Sequence, residues 1–539
     1  MRIILFLITG LAVVGALTPC IAADSTSSPQ DEPLANATLS GLYVNSIEQV
    51  LNLPPDQIDI GIAALIVSEA WSDMVEGRRY QQRLDDMAIE IRSRLKAQNT
   101  PVGFAAIPVI NDYLFNELKF STIDKTTDPY DLFLHSVMDR RRGYCLSLSI
   151  LYLAIGERLG LPLYGVVVPG HFFVRYDDGK ARFNIETTNG GANATDDYYI
   201  QKFNVPKNNT IYMSNLNKRQ SLGCFFNNLG NIYKDIGNVD QAMASMQWAV
   251  YINPSLAESR INLGNIYMKK DRVDDAIAEY QQALKITPDD SKAHNNLGNA
   301  YIRHQLFNDA VAEYTASIRL EPNFVDPYRN IAFVYRRLNR LTEAADALTQ
   351  AIALEPQNAQ IYQELAEVYA QSDNCAEAVP LYEKALKLKP DMTEAYLGLG
   401  LCYNKLEQTD KEIEAYQKAL SINPNLFIAL ARLGYIYFAQ GKFDAAIEQY
   451  NKAVRLNPDG KLYYNLGAAY SNKGDYEQTV KAQLKAVELD PQMADAHYSL
   501  ALAYYKLRNY DSALKHIKTA ELLGATIDPN LLNAIEHRN

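Results

Sequence analysis

Hydrophobic and polar positions divide the 539-residue chain into three stretches with different periodicities. An apolar run from Ile3 to Leu17 comes first. Between residues 41 and 206, a helical spacing of apolar residues changes to the alternation that is typical of strands. From residue 221 onward, helical spacing recurs inside a longer period of 34 residues. The pattern predicts a leader, a mixed domain of helices and strands, and an all-helical array.

The N-terminal run has the features of a secretory signal peptide. Arg2 supplies a positive charge before the apolar run, and small residues follow near Ala22. We predict a signal peptide over residues 1–23, a polar linker over residues 24–40, and a periplasmic or secreted protein. Two alternatives stay open. Cys20 is a lipidation point that its preceding proline disfavours, and an uncleaved leader would anchor the protein in a membrane.

The mixed domain begins with predicted helices and ends with predicted strands. Ile60–Trp71 is apolar, and Arg83–Gln98 carries apolar residues at helical spacing, so we expect both to pack as a helical lobe. A longer apolar helix follows Gly143 and ends at Gly160. The β-branched and aromatic runs that follow predict strands over Tyr164–Val168, His171–Tyr176 and Ala181–Thr188.

A short turn between the last two strands determines which residues face each other. If the Asp-Gly pair at positions 178 and 179 is a two-residue hairpin loop, His171 lies directly opposite Glu186. Their Cβ atoms would then be roughly 5 Å apart. Alternation along the strand places Phe173 and Arg175 on the same face.

A cysteine, a histidine and a carboxylate in this domain form a candidate catalytic site. Cys145 lies in the first turn of the predicted helix, where the backbone N–H groups and the helix dipole favour a thiolate. A histidine such as His171 accepts the thiol proton, while a carboxylate such as Glu186 orients the ring and stabilises its cation. The alternative is a buried core cysteine, a hydrogen-bonded strand histidine and a surface hairpin pair.

Three features of this site resemble the transglutaminase-like superfamily. They are the order of the residues, their gaps of 26 and 15 positions, and the segments Y-C-L-S-L-S, P-G-H-F and N-I-E-T-T. The resemblance covers residues 41–206 and implies a papain-like α+β core with a Cys-His-Asp triad. Cys145 and His171 match the first two positions, and Glu186 stands where the superfamily usually has aspartate. The superfamily also contains members that have lost catalysis.

The C-terminal part of the chain repeats at a nearly constant interval. Prolines recur every 34 residues from Pro254 to Pro458, and Pro491 follows after 33. A glycine or alanine stands 24 positions before each of these prolines, and a tyrosine follows three positions later. In such a pattern the small residues let two helices approach, the tyrosines fill the space between them, and the proline ends the second helix.

This pattern resembles the tetratricopeptide repeat (TPR). It predicts nine copies over residues 221–523, which the resemblance implies are stacked as an all-α, right-handed superhelical solenoid with a concave groove. Residues 207–220 are the expected connection from the preceding domain. The segment 524–539 contains a predicted helix, Pro529–Glu536, which would cap the last repeat.

A row of asparagines occupies one position of the repeat, directly before the packing leucine or isoleucine of the first helix. A side-chain amide offers a donor and an acceptor together, so such a row can bind the backbone of an extended peptide in the groove. The repeats of O-linked N-acetylglucosamine transferases resemble this stretch and imply the same role. The alternative is a set of solvated polar residues. The members are Asn228, Asn262, Asn296, Asn330 and Asn465.

Composition limits the partners and cofactors that we expect. With 52 Lys and Arg against 63 Asp and Glu, the chain has a net charge of −11, which argues against a nucleic-acid partner. Four cysteines follow the leader without a C-x-x-C motif or a Cys/His cluster, so we expect no metal and no organic cofactor. Cys375 and Cys402 meet between two repeats as a possible disulfide or, as we favour, as two buried free thiols.

Three functions fit these observations. The first is an exported cysteine peptidase or acyltransferase that acts on protein or peptide amides, with the repeats as a protein-binding scaffold. In it Cys145 is the nucleophile, His171 the general acid and base, and Glu186 the orienting acid. The second is a non-catalytic TPR scaffold with a relic transglutaminase-like domain. The third is a cell-wall-associated structural protein. We favour the first as the working hypothesis.

Overall fold

The computed structural model describes residues 46–72, 74–123, 128–206 and 211–537. The predicted signal peptide and linker lie outside these residues. Across the described ranges, no helix combines the length and the apolar character needed to cross a membrane. The chain divides into two compact units. Among the described residues, the first comprises 46–72, 74–123, 130–199 and 215–222, and the second comprises 128–129, 200–206, 211–214 and 223–537.

The first unit has an α+β fold, in which a three-stranded antiparallel sheet, with its strands side by side in chain order, lies beside a helical lobe. Its helices are α1 (Ile47–Asn52), α2 (Ile60–Trp71), α3 (Gly77–Ala97), α4 (Ile107–Asn111), α5 (Leu134–Arg140), α6 (Cys145–Leu159) and the first turn of α7 (Asp196–Lys202). Its strands are β1 (Ser121–Thr122), β2 (Arg142–Gly143), β3 (Leu163–Val168), β4 (His171–Asp177) and β5 (Arg182–Ile185). A π-helical turn, Asp112–Glu117, follows α4.

Helix α6 is the centre of this unit. Helices α2, α3 and α5 and strands β3 and β4 all pack against it, which confirms the predicted helical lobe. Because it is covered on several sides, α6 is apolar around most of its circumference. The Ser147 hydroxyl accepts a hydrogen bond from the Tyr144 N–H at 2.8 Å and so caps the N-terminus of α6. At the C-terminus, Gly160 adopts a left-handed conformation with φ of 75°, as the sequence predicts.

The predicted register of the last two strands is wrong by two residues. Arg175 pairs with Asn184, so the loop is the four residues 178–181 and not the predicted two. The Asp178 carboxylate accepts hydrogen bonds from the N–H groups of Lys180 and Ala181, at 2.8 and 2.7 Å, which stabilises this longer turn. A shift of two positions leaves each residue on the same face of the sheet.

The last predicted strand is also too long. Strand β5 ends at Ile185, and Glu186 begins a 3-10 turn over Thr187–Asn189. The Glu186 side chain accepts the N–H of Thr188, so it caps that turn and ends the strand.

The described residues from Lys218 to Glu536 form nine helix pairs followed by a short helix, which is the TPR solenoid that the sequence predicts. The pairs are α8 (Lys218–Asp235) with α9 (Val239–Ile252), α10 (Ala257–Lys269) with α11 (Val273–Ile286), α12 (Ser291–Arg303) with α13 (Phe307–Leu320), α14 (Val325–Arg337) with α15 (Leu341–Leu354), α16 (Ala359–Gln371) with α17 (Cys375–Leu388), α18 (Thr393–Lys405) with α19 (Thr409–Ile422), α20 (Phe427–Ala439) with α21 (Phe443–Leu456), α22 (Gly460–Lys473) with α23 (Tyr476–Leu489), and α24 (Ala494–Lys506) with α25 (Tyr510–Leu522). The final helix is α26 (Pro529–Glu536).

Close approach within each pair explains the repeated small residue. A Cβ atom added at Gly264 or Gly400 would lie 2.6 or 2.4 Å from the tyrosine ring of the second helix, so the two helices could not keep this separation without a shift. The role of the glycines in helix packing is thus confirmed. Helix α26 packs on the last pair, where Ile535 joins a core that contains Ala513 and Ile517.

Candidate active site

The structure places Cys145 at the first position of α6, buried with 7 % of its surface exposed. Thr187, in the turn after β5, connects to this end of the helix. Its hydroxyl donates to the Cys145 carbonyl oxygen at 3.4 Å and shares a second hydrogen bond of 2.9 Å with the Ser149 hydroxyl. The turn that carries the carboxylate is therefore docked on the first two turns of the cysteine helix.

The three predicted residues lie together. His171 Nε2 lies 2.8 Å from Glu186 Oε2, and the His171 ring also forms a side-chain hydrogen bond with Cys145. Because Glu186 occupies Nε2, Nδ1 is the ring nitrogen left to exchange a proton with the thiol. Both side chains of the His-Glu pair are 12 % exposed, so water screens their interaction only weakly.

The pKa values of this pair move in opposite directions. Burial lowers the pKa of His171, but its hydrogen bonds to Cys145 and Glu186 outweigh that effect and raise the pKa to about 9. Burial raises the pKa of Glu186, but hydrogen bonds from His171, Thr188 and Tyr199 and the imidazolium charge lower it to about 2. At neutral pH the pair is therefore an imidazolium and a carboxylate.

Glutamate reaches the histidine along a diagonal. If the observed register is extended by one residue beyond the end of β5, position 186 falls level with Phe173, two residues along β4 from His171. Diagonal neighbours on adjacent strands are about 7–8 Å apart at the backbone, farther than direct pairs. The longer side chain of Glu186 spans this distance. The sequence placed the right residues on the right face, although the directly opposite pairing that it used is wrong.

Two partners of Glu186 were missed by the sequence analysis. Thr188 donates its N–H and its hydroxyl to Glu186 Oε1, at 3.1 and 2.5 Å. The Tyr199 hydroxyl donates to Glu186 Oε2 at 2.8 Å. Thr188 is only two residues from Glu186, but glutamate is not among the residues whose side chain commonly bonds the backbone two positions on, so no turn rule indicated this contact. Tyr199 comes 13 residues later on another element, and no spacing rule connects it.

Arg175 is the largest fully buried side chain on the same face of β4. It donates through Nε to Asn184 Oδ1 and through Nη2 to Asp196 Oδ1, both at 2.7 Å. Asn184 also donates to Asp196, at 2.7 Å. This network joins β4, β5 and the start of α7, the helix that carries Tyr199.

The asparagine row of the second unit is half-buried at all five positions. Its geometry shows hydrogen bonds inside the array. Asn228 donates to the carbonyl oxygen of Cys224 at 3.0 Å, and the next three donate to an asparagine of the preceding repeat, namely Asn262 to Asn227 at 3.2 Å, Asn296 to Asn265 at 3.1 Å and Asn330 to Asn295 at 3.0 Å. Three of the five members thus link neighbouring repeats, and the predicted binding of a peptide by the row stays a prediction.

The other cysteines that the structure describes belong to the core. Cys224, Cys375 and Cys402 are buried free thiols in the part of the chain that the structure describes. Burial, together with a hydrogen bond to Cys375, raises the pKa of Cys402 to about 12. The described residues contain no group of three or more His, Cys, Asp or Glu arranged to hold a metal ion.

Comparison with known families agrees with this architecture. The model of the transglutaminase-like superfamily matches residues 78–208. Models of the tetratricopeptide repeat match residues 225–256, 264–305, 295–359, 330–392, 363–426, 415–448, 434–474 and 472–507. The chain therefore contains a transglutaminase-like domain followed by an array of tetratricopeptide repeats.

Individual relatives match over shorter stretches. The "UPF0162 protein" of Xylella fastidiosa is 32 % identical over 131 residues, which is 24 % of this chain and 45 % of that protein. The human "F-box only protein 21" is 38 % identical over 76 residues, 14 % of this chain and 12 % of that protein. The chain thus spans less than half the length of these relatives.

Solved structures resemble parts of the chain. A crystal structure of MamA is 28 % identical, covers 30 % of this chain and 95 % of its own, and has a TM-score of 0.29. A tetratricopeptide repeat protein from Parabacteroides merdae is 19 % identical, covers 47 % and 99 %, and has a TM-score of 0.35. At these TM-scores the likeness carries no argument about function.

Proposed function

We propose that the protein is an exported cysteine peptidase or acyltransferase that acts on protein or peptide amides. The observation that carries the proposal is the hydrogen-bonded series from Cys145 through His171 to Glu186 at the start of a buried helix. A cysteine, a basic histidine and an orienting carboxylate in this order are the parts of an activated thiol.

The chemistry that we propose is acyl transfer in two steps. At neutral pH His171 already holds the proton as an imidazolium, and Cys145 reacts as the thiolate of this ion pair, so that its sulfur forms a bond to the amide carbonyl carbon while the carbonyl π electrons move to the oxygen. The carbonyl oxygen becomes an oxyanion, which the backbone N–H groups at the start of α6 stabilise. His171 then returns the proton to the departing amine, and a thioester remains on Cys145. Water or a second amine breaks the thioester, which releases an acid or a new amide.

We assign protein binding to the second unit. Stacked repeats form extended surfaces suited to protein ligands, and the asparagine row is the part of the array that we propose for peptide backbone recognition. Location in the periplasm or outside the cell rests on the leader sequence that precedes the described residues. Anchoring in a membrane applies only if the leader is retained.

The test is the pH dependence of Cys145 alkylation in the mature protein. Iodoacetamide labelling is quantified by peptide mass spectrometry, and Cys224, whose buried thiol has a raised pKa, is the internal reference in each digest. We expect Cys145 to react at pH 6 to 7 and His171→Ala and Glu186→Ala to slow it strongly. A Cys145 that is inert, or indifferent to both substitutions, would contradict the proposal and favour the non-catalytic scaffold.

A further inference from the structure

We propose that Tyr199 is a positioning residue whose hydroxyl holds the Glu186 carboxylate in the orientation that engages His171. The inference rests on the proposed function, because it concerns the acid of the same site. Tyr199 contacts neither the thiol nor a substrate in this proposal. It acts only through Glu186.

The first step is the saturation of the carboxylate. A carboxylate has about four acceptor directions, two on each oxygen. Oε1 takes both donors of Thr188, and Oε2 takes His171 Nε2 and the Tyr199 hydroxyl, each of the latter two at 2.8 Å. The carboxylate is therefore held at both oxygens. Without Tyr199, Oε2 keeps only the histidine, which is the group that the carboxylate is meant to orient.

The second step is the rigidity of Tyr199 itself. Its side chain is fully buried. Its ring stacks on Phe173, with centroids 3.8 Å apart and planes at 9°, and lies 6.2 Å from the His171 ring at 19°. The same strand face holds the start of α7 through Arg175 and Asp196. One face of β4 thus supplies the histidine, the platform for Tyr199 and the anchor for its helix.

The third step is the length of the acid. Glutamate has one more rotatable bond than the aspartate that the superfamily resemblance implies, so its carboxylate loses more freedom when it is fixed. A diagonal reach across the sheet needs that length. The hydroxyl of Tyr199 offsets the added freedom, because it restrains the oxygen that binds His171.

The experiment is a titration of His171 by NMR, in the full mature chain labelled with ¹³C in its histidine rings. The chain has 7 histidines, and a His171→Gln variant identifies the signal. Wild type is compared with Tyr199→Phe, which keeps the stacked ring and removes only the hydroxyl. The matched control is Tyr152→Phe, which removes a buried hydroxyl bonded to Asn111 Oδ1 at 2.9 Å.

The sign of the change separates positioning from simple charge neutralisation. If the hydroxyl only reduces the basicity of the Glu186 carboxylate through its hydrogen bond, removing the hydroxyl makes Glu186 more basic and raises the pKa of His171. If the hydroxyl positions the carboxylate, its removal lowers that pKa from about 9. We expect a fall of roughly one unit, which is a tenfold change in the protonation ratio, and alkylation of Cys145 at pH 7 that is slower by up to about tenfold. Tyr152→Phe is expected to leave both unchanged.

The outcomes distinguish this inference from the proposed function. A wild-type His171 that titrates near 6.5 beside an inert Cys145 contradicts the proposed function itself. A wild type with the raised pKa and a reactive cysteine, together with Tyr199→Phe that shows no change or a rise, overturns the inference alone. The wild type provides a second measurement if the variant does not fold. A slowly exchanging Tyr199 hydroxyl proton with a through-space contact to the His171 ring is expected, and its absence also overturns the inference.

Discussion

Replacing Glu186 by aspartate is the sharpest test of the site geometry. The change introduces the acid that the superfamily usually carries, and it removes one methylene. A carbon–carbon bond is about 1.5 Å long, so the carboxylate withdraws by a similar distance. The contact of 2.8 Å to His171 Nε2 then exceeds about 4 Å, which is beyond hydrogen-bond range. We therefore expect the superfamily's own residue to damage this site.

The magnitude follows from the two distances. At an effective dielectric constant of about 20, opposite charges attract by about 6 kcal/mol at 2.8 Å and about 4 kcal/mol at 4.3 Å. A loss of about 2 kcal/mol corresponds to about 1.5 pKa units. The pKa of His171 is therefore expected to fall from about 9 to roughly 7.5. Glu186→Gln keeps the length and removes the charge, so it should lower that pKa further.

The assay is the same histidine titration, with Cys145 alkylation at pH 8 as a second measure. Wild type, Glu186→Asp and Glu186→Gln should rank in that order for the pKa of His171. An unchanged pKa in Glu186→Asp would show that aspartate also reaches the histidine. The inference that Glu186 contacts His171 from a diagonal position would then be wrong. Such a result would favour the register in which positions 171 and 186 are directly opposite.

Three further predictions concern stability. Arg175→Lys keeps the charge but cannot replace the guanidinium fork, so we expect the first unit to lose about 2–4 kcal/mol of unfolding free energy, measured in urea by Trp71 fluorescence in a Trp248→Phe background. Gly400→Ala places a Cβ 2.4 Å from a tyrosine ring and should cost about 1–3 kcal/mol, seen as a lower thermal midpoint. Burial and a facing histidine lower the pKa of His516 to about 4. The His516 side chain therefore stays neutral in the folded state, whereas in the unfolded state it gains a proton below about pH 6.5. The free energy of unfolding of the last repeat should therefore fall by about 1 kcal/mol, after allowance for solvent screening, as the pH falls from 6.5 towards 4. Hydrogen exchange of its backbone amides at pH 7 and pH 5 measures this change.

Local sequence signals predicted the parts of the fold that depend on neighbouring residues. The bounds of α2 match the predicted Ile60–Trp71, because an apolar run follows the capping residue Asp59. Helix α6 ends where Gly160 takes a left-handed conformation. The array was predictable because every repeat packs its two helices with the same residue types at the same positions. This pattern recurs with a period of 34 residues, so the sequence shows it many times.

The sequence could not determine how the strands are offset. The hairpin loop depends on the side chain of Asp178, which accepts hydrogen bonds from two N–H groups and so stabilises a four-residue turn in place of the shorter Asp-Gly turn. The register error is two residues, and a shift of two keeps every side chain on its predicted face of the sheet. His171 and Glu186 were therefore still placed on one face. Tyr199 was out of reach, because its contact with Glu186 depends on where α7 starts, and Arg175 sets that start through Asp196.

The asparagine row shows how packing and binding can share the same residues. Each side-chain amide has two N–H donors and one carbonyl oxygen, and Asn262, Asn296 and Asn330 each use one donor on the preceding repeat. A peptide that binds this row would therefore meet amides whose orientation is already fixed, which lowers the entropy lost on binding. The same contacts join the repeats, so Asn296→Ala would loosen the array and remove a binding group together. A loss of peptide affinity is evidence for recognition only if the thermal midpoint of the array is unchanged.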